Sequence, residues 1–218
     1  MSDAPLTTTD PAPLLVEVWT DPQCVWCFIT HPRLAAAIAA YDGEVELVHR
    51  SFILHPDAPV EVDRDAHIRA QTRDVDPTEF AQTMTRLTEL AAAEGLDHRP
   101  DLTRPTNSRL ALELLAYAGT VGRRDQMTSR LSRAHFVDGR HIGRVDDLVE
   151  LAVEAGLDGG EVRTALTGRA LADTVDKDTD EARRLGALGV PFYRAGGTEL
   201  LGGVQSTKSL LALLRSAR

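Results

Sequence analysis

The chain has 218 residues, 43% of them hydrophobic and 26% charged, with a formal net charge of -9. This is enough apolar material for a packed interior, and the length suits one large domain or a core with a sizeable insertion. The negative balance argues against general nucleic-acid binding and against anionic membrane surfaces, and no run approaches the roughly 18 apolar residues of a membrane span.

Met1 to Pro13 is polar and rich in Pro and Thr, with no basic start and no apolar centre. It does not read as a secretory signal, so a disordered lead-in is expected and a reducing cytoplasm is the default compartment. Leu14 to Thr20 is an apolar run bounded by Pro13 and Asp21-Pro22, and reads as a buried strand. It leads through a turn into Cys24-Val25-Trp26-Cys27 and then into an Ala-rich segment, about Phe28 to Tyr41, that reads as a helix. Thiol–disulfide chemistry needs this order of strand, turn, Cys-x-x-Cys and helix. The first sulfur sits where unpaired N–H groups and the positive end of the helix dipole favour a thiolate. The second lies one turn further in, within reach of a mixed disulfide made by the first. In the competing reading the helix begins at Pro32 and the cysteines sit in a loop before it, which weakens the dipole effect on Cys24.

Two other readings apply to the pair. Cysteines at this spacing can form half a metal site, and His31 could add a third ligand, but no further cysteine exists to complete a four-thiolate site. Alternatively both are buried structural cysteines.

Gly43 closes the helical region, and Val45 to Leu54 reads as a second strand that Pro56 and Pro59 stop. A crossover of this length implies parallel strands. From roughly Val60 to Asp178 the chain reads as helical. Asp76-Pro77 with Glu79 is a helix start, and Phe80, Met84, Leu87, Leu90 and Ala91 form its stripe. Further helices are expected at about Thr106 to Ala118, Arg124 to Val137, Arg144 to Ala155 and Gly160 to Leu166. His135, on an apolar stripe, reads as a core histidine with its hydrogen bonds satisfied. Asp180 to Leu188 is then a helix and Val190 to Ala195 a short strand. Gly196-Gly197 is a hairpin turn, Glu199 to Leu201 the returning strand, and Gly202-Gly203 a bulge or close backbone approach. Ser206 caps a last helix, Lys208 to Ser216. Arg194, within the Val190 to Ala195 strand, suggests an exposed sheet edge.

The two ends together give an α/β architecture: a thioredoxin-like fold (residues 14–59 and 179–218) interrupted by a helical insertion (60–178), behind a lead of residues 1–13. The chain resembles the DsbA-like thioredoxin proteins and, within them, the FrnE-type branch. The resemblance rests on Asp21-Pro22-Gln23-Cys24-Val25-Trp26-Cys27-Phe28, on Leu188-Gly189-Val190-Pro191-Phe192, and on Leu201-Gly202-Gly203-Val204-Gln205. Asn107-Ser108 and Ala134-His135-Phe136 add to it. It implies a thiol–disulfide oxidoreductase with Cys24 as the attacking and Cys27 as the resolving cysteine. Val190-Pro191 would be a cis-proline loop facing them, its Val190 backbone able to pair with an extended substrate peptide. Apart from the resemblance, Trp26 reads either as an apolar substrate contact beside the sulfurs or as simple helix packing. The chain departs from the branch at Val25, where a proline is usual. Val25 and Trp26 carry no charge, so a potential toward the reducing end is expected.

The implied partners are disulfide or dithiol substrates, with neither nucleic acid nor membrane. No bound cofactor is implied, and glutathione is a possible reductant. The sequence carries no signal for oligomeric state. Two alternatives share or replace the chemistry. One is a glutathione-using enzyme of the 2-hydroxychromene-2-carboxylate isomerase or kappa-transferase type, which has a serine in place of the first cysteine. The other is a non-enzymatic peptide- or metal-binding protein. The redox reading requires that the sulfurs and the Val190-Pro191 corner meet in space.

Overall fold

The computed structural model describes residues 12–217. The expected N-terminal lead lies almost wholly outside the described residues. Among them, four strands form one sheet in the order β2-β1-β3-β4: β1 (Leu14–Thr20), β2 (Val45–Ser51), β3 (Phe192–Ala195) and β4 (Glu199–Gly202). β1 and β2 are parallel, with Leu14 opposite Val45, as the crossover through α1 (Val25–Ala39) requires. β3 runs antiparallel to β1, and the Gly196-Gly197 turn returns the chain as β4. Both glycines have positive φ, +57° and +80°, which few other residues adopt without strain.

The two faces of β1 follow its period of two. Val16 and Val18 face α1 and α9 (Thr207–Ser216) and pack with Leu34, Ala37, Leu210 and Leu214. Glu17 and Trp19 face α8 (Ala172–Arg184), where the Trp19 indole donates to the Asp178 carbonyl at 2.9 Å. The carboxylate of Asp178 also accepts from the backbone of Ser51 at 2.9 Å. These bonds hold Asp178 to the sheet from inside α8, which begins at Ala172, well before the expected Asp180. Its sheet-facing stripe, Val175, Asp178, Thr179 and Ala182, is partly polar and so invisible to a search for apolar periodicity. Position 178, the expected end of the insertion, therefore lies inside α8.

Arg194 does not mark an exposed edge. β3 is interior to the sheet, and Arg194 ion-pairs with the buried Glu17 and, at 2.8 Å, with Glu181. Arg50 on β2 shares Glu17 at 2.8 Å from the other side.

The helical segment comprises α2 (Arg64–Gln71), α3 (Pro77–Ala93), α4 (Arg109–Thr120), α5 (Arg124–Phe136), α6 (Val145–Glu154) and α7 (Gly159–Thr167). Asp76 caps α3 through the N–H groups of Thr78 and Glu79. Leu114, Met127, Leu131, Leu148 and Leu151 centre a separate core between α4, α5, α6 and α7. No described helix is long and apolar enough to cross a membrane.

Candidate active site

β1 delivers the chain to a turn at Asp21-Pro22. There Asp21 Oδ1 accepts from Gln23 N at 2.8 Å, and the Asp21 carbonyl accepts from Cys24 N at 2.9 Å. The turn places Cys24 as the N-cap of α1, with extended backbone at φ -77° and ψ 107°. Its Sγ accepts from the Cys27 backbone N–H at 3.3 Å, as a serine or aspartate oxygen does at this position. The alternative helix start is therefore overturned, since Pro32 lies inside α1. Having no N–H, Pro32 cannot make the intrahelical bond to the Phe28 carbonyl four residues earlier.

Both cysteines are free thiols, 7% and 8% exposed. Their acidities are driven apart. The Cys24 thiol is held below its ordinary pKa, first by the Cys27 S–H donating to it and next by the backbone N–H groups of Cys27 and Trp26, with burial opposing. Burial pushes the Cys27 thiol well above its ordinary value, and the neighbouring Cys24 sulfur raises it further. One sulfur of the pair is thus the better nucleophile and the other keeps its proton.

The Val190–Pro191 bond is cis, and the Cys24 thiol donates to the Val190 carbonyl at 3.3 Å. The corner is tied down behind by Gly203 N, which donates to the Pro191 carbonyl at 2.8 Å. The two distant segments do meet. A cleft of about 320 Å³ opens over the pair, walled by Cys24, Cys27, Phe28, His31, Leu131 and Phe136.

Residues 15–215 match the model of the DSBA-like thioredoxin domain. The chain belongs to that family. A probable DsbA oxidoreductase from Streptomyces coelicolor is 33% identical, with a TM-score of 0.86 over 94% of this chain and 89% of that one. The uncharacterized protein YwbO of Bacillus subtilis is 26% identical over 86% of this chain and 89% of its own length. The cytosolic disulfide reductase DsbM of Pseudomonas aeruginosa shares the fold, at 24% identity and a TM-score of 0.63 over 93% of this chain and 97% of that one.

Within this DsbA-like site the other expected residues fall unevenly. Val190 and Pro191 are buried against the sulfurs. Trp26 is 37% exposed and is not among the residues that line the cleft. His31 is exposed at the cleft, its ring 6.2 Å from that of His49. Burial, the Arg124 charge and His31 lower the His49 pKa to about 4, so its imidazole is neutral at physiological pH. No group of three potential metal ligands gathers among the described residues.

Asp21 is the site residue whose role the sequence does not disclose. It is 1% exposed and accepts from Leu54 N at 3.0 Å and Ser108 Oγ at 2.7 Å, besides Gln23 N. It thereby ties the cysteine turn to the segment after β2 and to the start of α4. Burial raises its pKa, and those donors oppose the rise. Its charge in turn works against ionisation of both thiols. The Asx turn at Asp21-Gln23 was the one local signal available.

Proposed function

We propose that the protein is a thiol–disulfide oxidoreductase in which Cys24 attacks and Cys27 resolves. The observation that carries this reading is geometric: Cys24 caps α1, and its sulfur lies 3.3 Å from both Cys27 N and the Val190 carbonyl oxygen. The Cys24 thiolate attacks one sulfur of a substrate disulfide, forming a mixed disulfide and releasing the other sulfur as a thiolate, which takes a proton from solvent. The negative charge at Cys24 is consumed in that step. One of the causes that raised the Cys27 pKa is thereby removed. Cys27 then loses its proton and attacks Cys24 Sγ. The Cys24–Cys27 disulfide forms and the second substrate thiol leaves, two electrons having passed to the substrate. The reverse sequence oxidises a dithiol.

The substrates we propose are peptide or small-molecule disulfides, with glutathione as a possible reductant and a reducing compartment as the site of action. Main-chain pairing at Val190 and contact with Trp26 belong to the same reading. Pro191 supports it because it has no N–H to occupy the sulfurs or to compete with a substrate strand.

Insulin reduction with dithiothreitol tests the proposal. Cys24→Ser abolishes turnover, and Cys27→Ser accumulates mixed disulfides visible by mass spectrometry. Unchanged turnover in Cys24→Ser discards the mechanism.

A further inference from the structure

The resolving step needs a base. Burial is the first cause of the raised Cys27 pKa, and it persists after the Cys24 charge is consumed. Cys27 therefore enters the mixed disulfide with its proton on, and a group beside it must take that proton before it can attack.

A second, small cavity of about 20 Å³ shares Cys27, His31 and His49 with the sulfur cleft as walls. Thr30, Pro191 and Tyr193 line it as well. A space above roughly 10–15 Å³ holds one water, and the thiol, hydroxyl and imidazole groups here supply the two to four polar partners such a water needs. His31 follows Cys27 by four residues within α1, so the two side chains leave the helix on one face, roughly 5–6 Å apart at Cβ. A single water bridges a gap of that size.

Other acceptors are less well placed. Asp21 lines the cleft but not the small cavity, and its carboxylate already accepts from Gln23 N, Leu54 N and Ser108 Oγ. His49 lines both, but its pKa of about 4 makes it a weak base, and its side chain is only 10% exposed. His135 lies on neither cavity, and its buried Nδ1 is unpartnered, so it is not the satisfied core histidine its stripe suggested. His31 is exposed at the cleft, so one ring joins the small cavity to solvent. Burial lowers its pKa and the Asp125 carboxylate opposes this, leaving the ring neutral at physiological pH. The other charged groups facing His31 or its neighbour His49 are Arg124 and Arg133 from α5 and Asp97 from the segment after α3. From β3 the Tyr193 phenol is kept protonated by burial.

Resting on the redox reading above, we propose that His31 takes the Cys27 proton through one water in the small cavity and passes it to solvent at the cleft. The Cys27 S–H bond breaks, its proton goes to the water, and the water gives one of its own to His31. The Cys27 thiolate attacks Cys24 Sγ, the Cys24–Cys27 bond forms, and the substrate sulfur leaves with the electron pair of the broken bond. The proton on His31 then goes to that thiolate or to bulk water. When the protein acts as the oxidant, the imidazolium returns the proton to Cys27.

Stopped-flow reaction of the reduced full chain with 5,5′-dithiobis(2-nitrobenzoate) tests this, because each step releases one thionitrobenzoate. The wild type gives two phases, Cys24 attack and then Cys27 resolution, and Cys27→Ser gives only the first. His31→Gln can hydrogen-bond the water but takes no proton. It should slow the second phase at least about tenfold at neutral pH and leave the first within about twofold, as loss of a general base does. The second phase of the wild type should level off above the His31 pKa. In His31→Gln it should instead climb about tenfold per pH unit, with hydroxide as the base. Circular dichroism checks the fold, and His31→Leu replaces His31→Gln if that chain does not fold. Equal slowing of both phases, or a second phase unchanged in rate or pH profile, overturns the proposal and leaves the redox reading standing. Absence of the first phase in the wild type overturns the redox reading and the proposal with it.

Discussion

Replacing Ser108 with alanine separates two roles that serine can have at the start of a helix. A serine at the N-cap ordinarily accepts a hydrogen bond from the first turn. Ser108 occupies that position on α4 but makes no capping bond, and Asn107 Oδ1 takes the Arg109 N–H instead, at 2.9 Å. Its hydroxyl is directed into the active-site loop, donating to Asp21 Oδ2 at 2.7 Å with both residues 1% exposed. Removing one partner of a buried hydrogen bond costs about 1–3 kcal/mol. Ser108→Ala should therefore cost about 2 kcal/mol, roughly 4–8 °C in Tm for a chain of this size. A lost cap would cost about 1 kcal/mol, too close for magnitude alone to decide. A double-mutant cycle with Asp21→Asn does decide, by urea denaturation. The bond to Asp21 predicts a coupling of about 1.5 kcal/mol or more, whereas additivity within about 0.5 kcal/mol would refute it. The pH dependence gives a second check. The folded-state pKa of Asp21 is raised, so the stability tied to its protonation is full below the ordinary carboxylate value and is lost as pH rises through the folded value. Removing the Ser108 donor raises that value further. The deficit of Ser108→Ala must then be largest at neutral pH and smaller in acid. A deficit of equal size at both pH values contradicts the reasoning.

Limited alkylation of the reduced protein with iodoacetamide at pH 7 should label Cys24 alone, since its thiol is held below the ordinary value and that of Cys27 far above it. Peptide mapping that finds Cys27 labelled first would contradict that assignment. Equilibration with glutathione buffers should give a potential toward the reducing end, because neither Val25 nor Trp26 is charged and the cleft imidazole of His49 is neutral. A strongly oxidising value refutes this. Glu17→Ala leaves Arg50 and Arg194 without the carboxylate they share, itself 2% exposed. The cost should be roughly 3 kcal/mol, at the low end for a broken buried pair because Arg50 is about a third exposed. A loss under about 1 kcal/mol by urea denaturation would show that water already serves these arginines.

What could be read in the chain and what could not differ in the range of the interactions concerned. The strand, turn and helix around Cys24 are written in consecutive residues, and apolar period and turn chemistry suffice for them. The hairpin after β3 is legible for the same reason, in Gly196-Gly197. The meeting of Cys24 with Val190 joins residues 166 apart. No local rule contains it, and it came from resemblance to a family in which both motifs occur. Where neither local pattern nor resemblance applied, the reading failed in a consistent direction. Arg194 looked like an exposed edge because composition does not encode sheet order, and its partner Glu17 lies 177 residues away. Asp178 looked like the end of the insertion, and Asp180 like the start of the next helix, because the hydrogen bonds of Asp178 and Thr179 to Ser51 and Ile53 cross the fold. Asp21 looked like half of a turn, although Ser108 reaches it from 87 residues further on. Asp21, Asp178 and Thr179 are buried and Arg194 is half-buried, and a polar group withdrawn from water is stable only with a partner supplied by tertiary structure. Its environment is thus set by the residues least visible from its own neighbourhood.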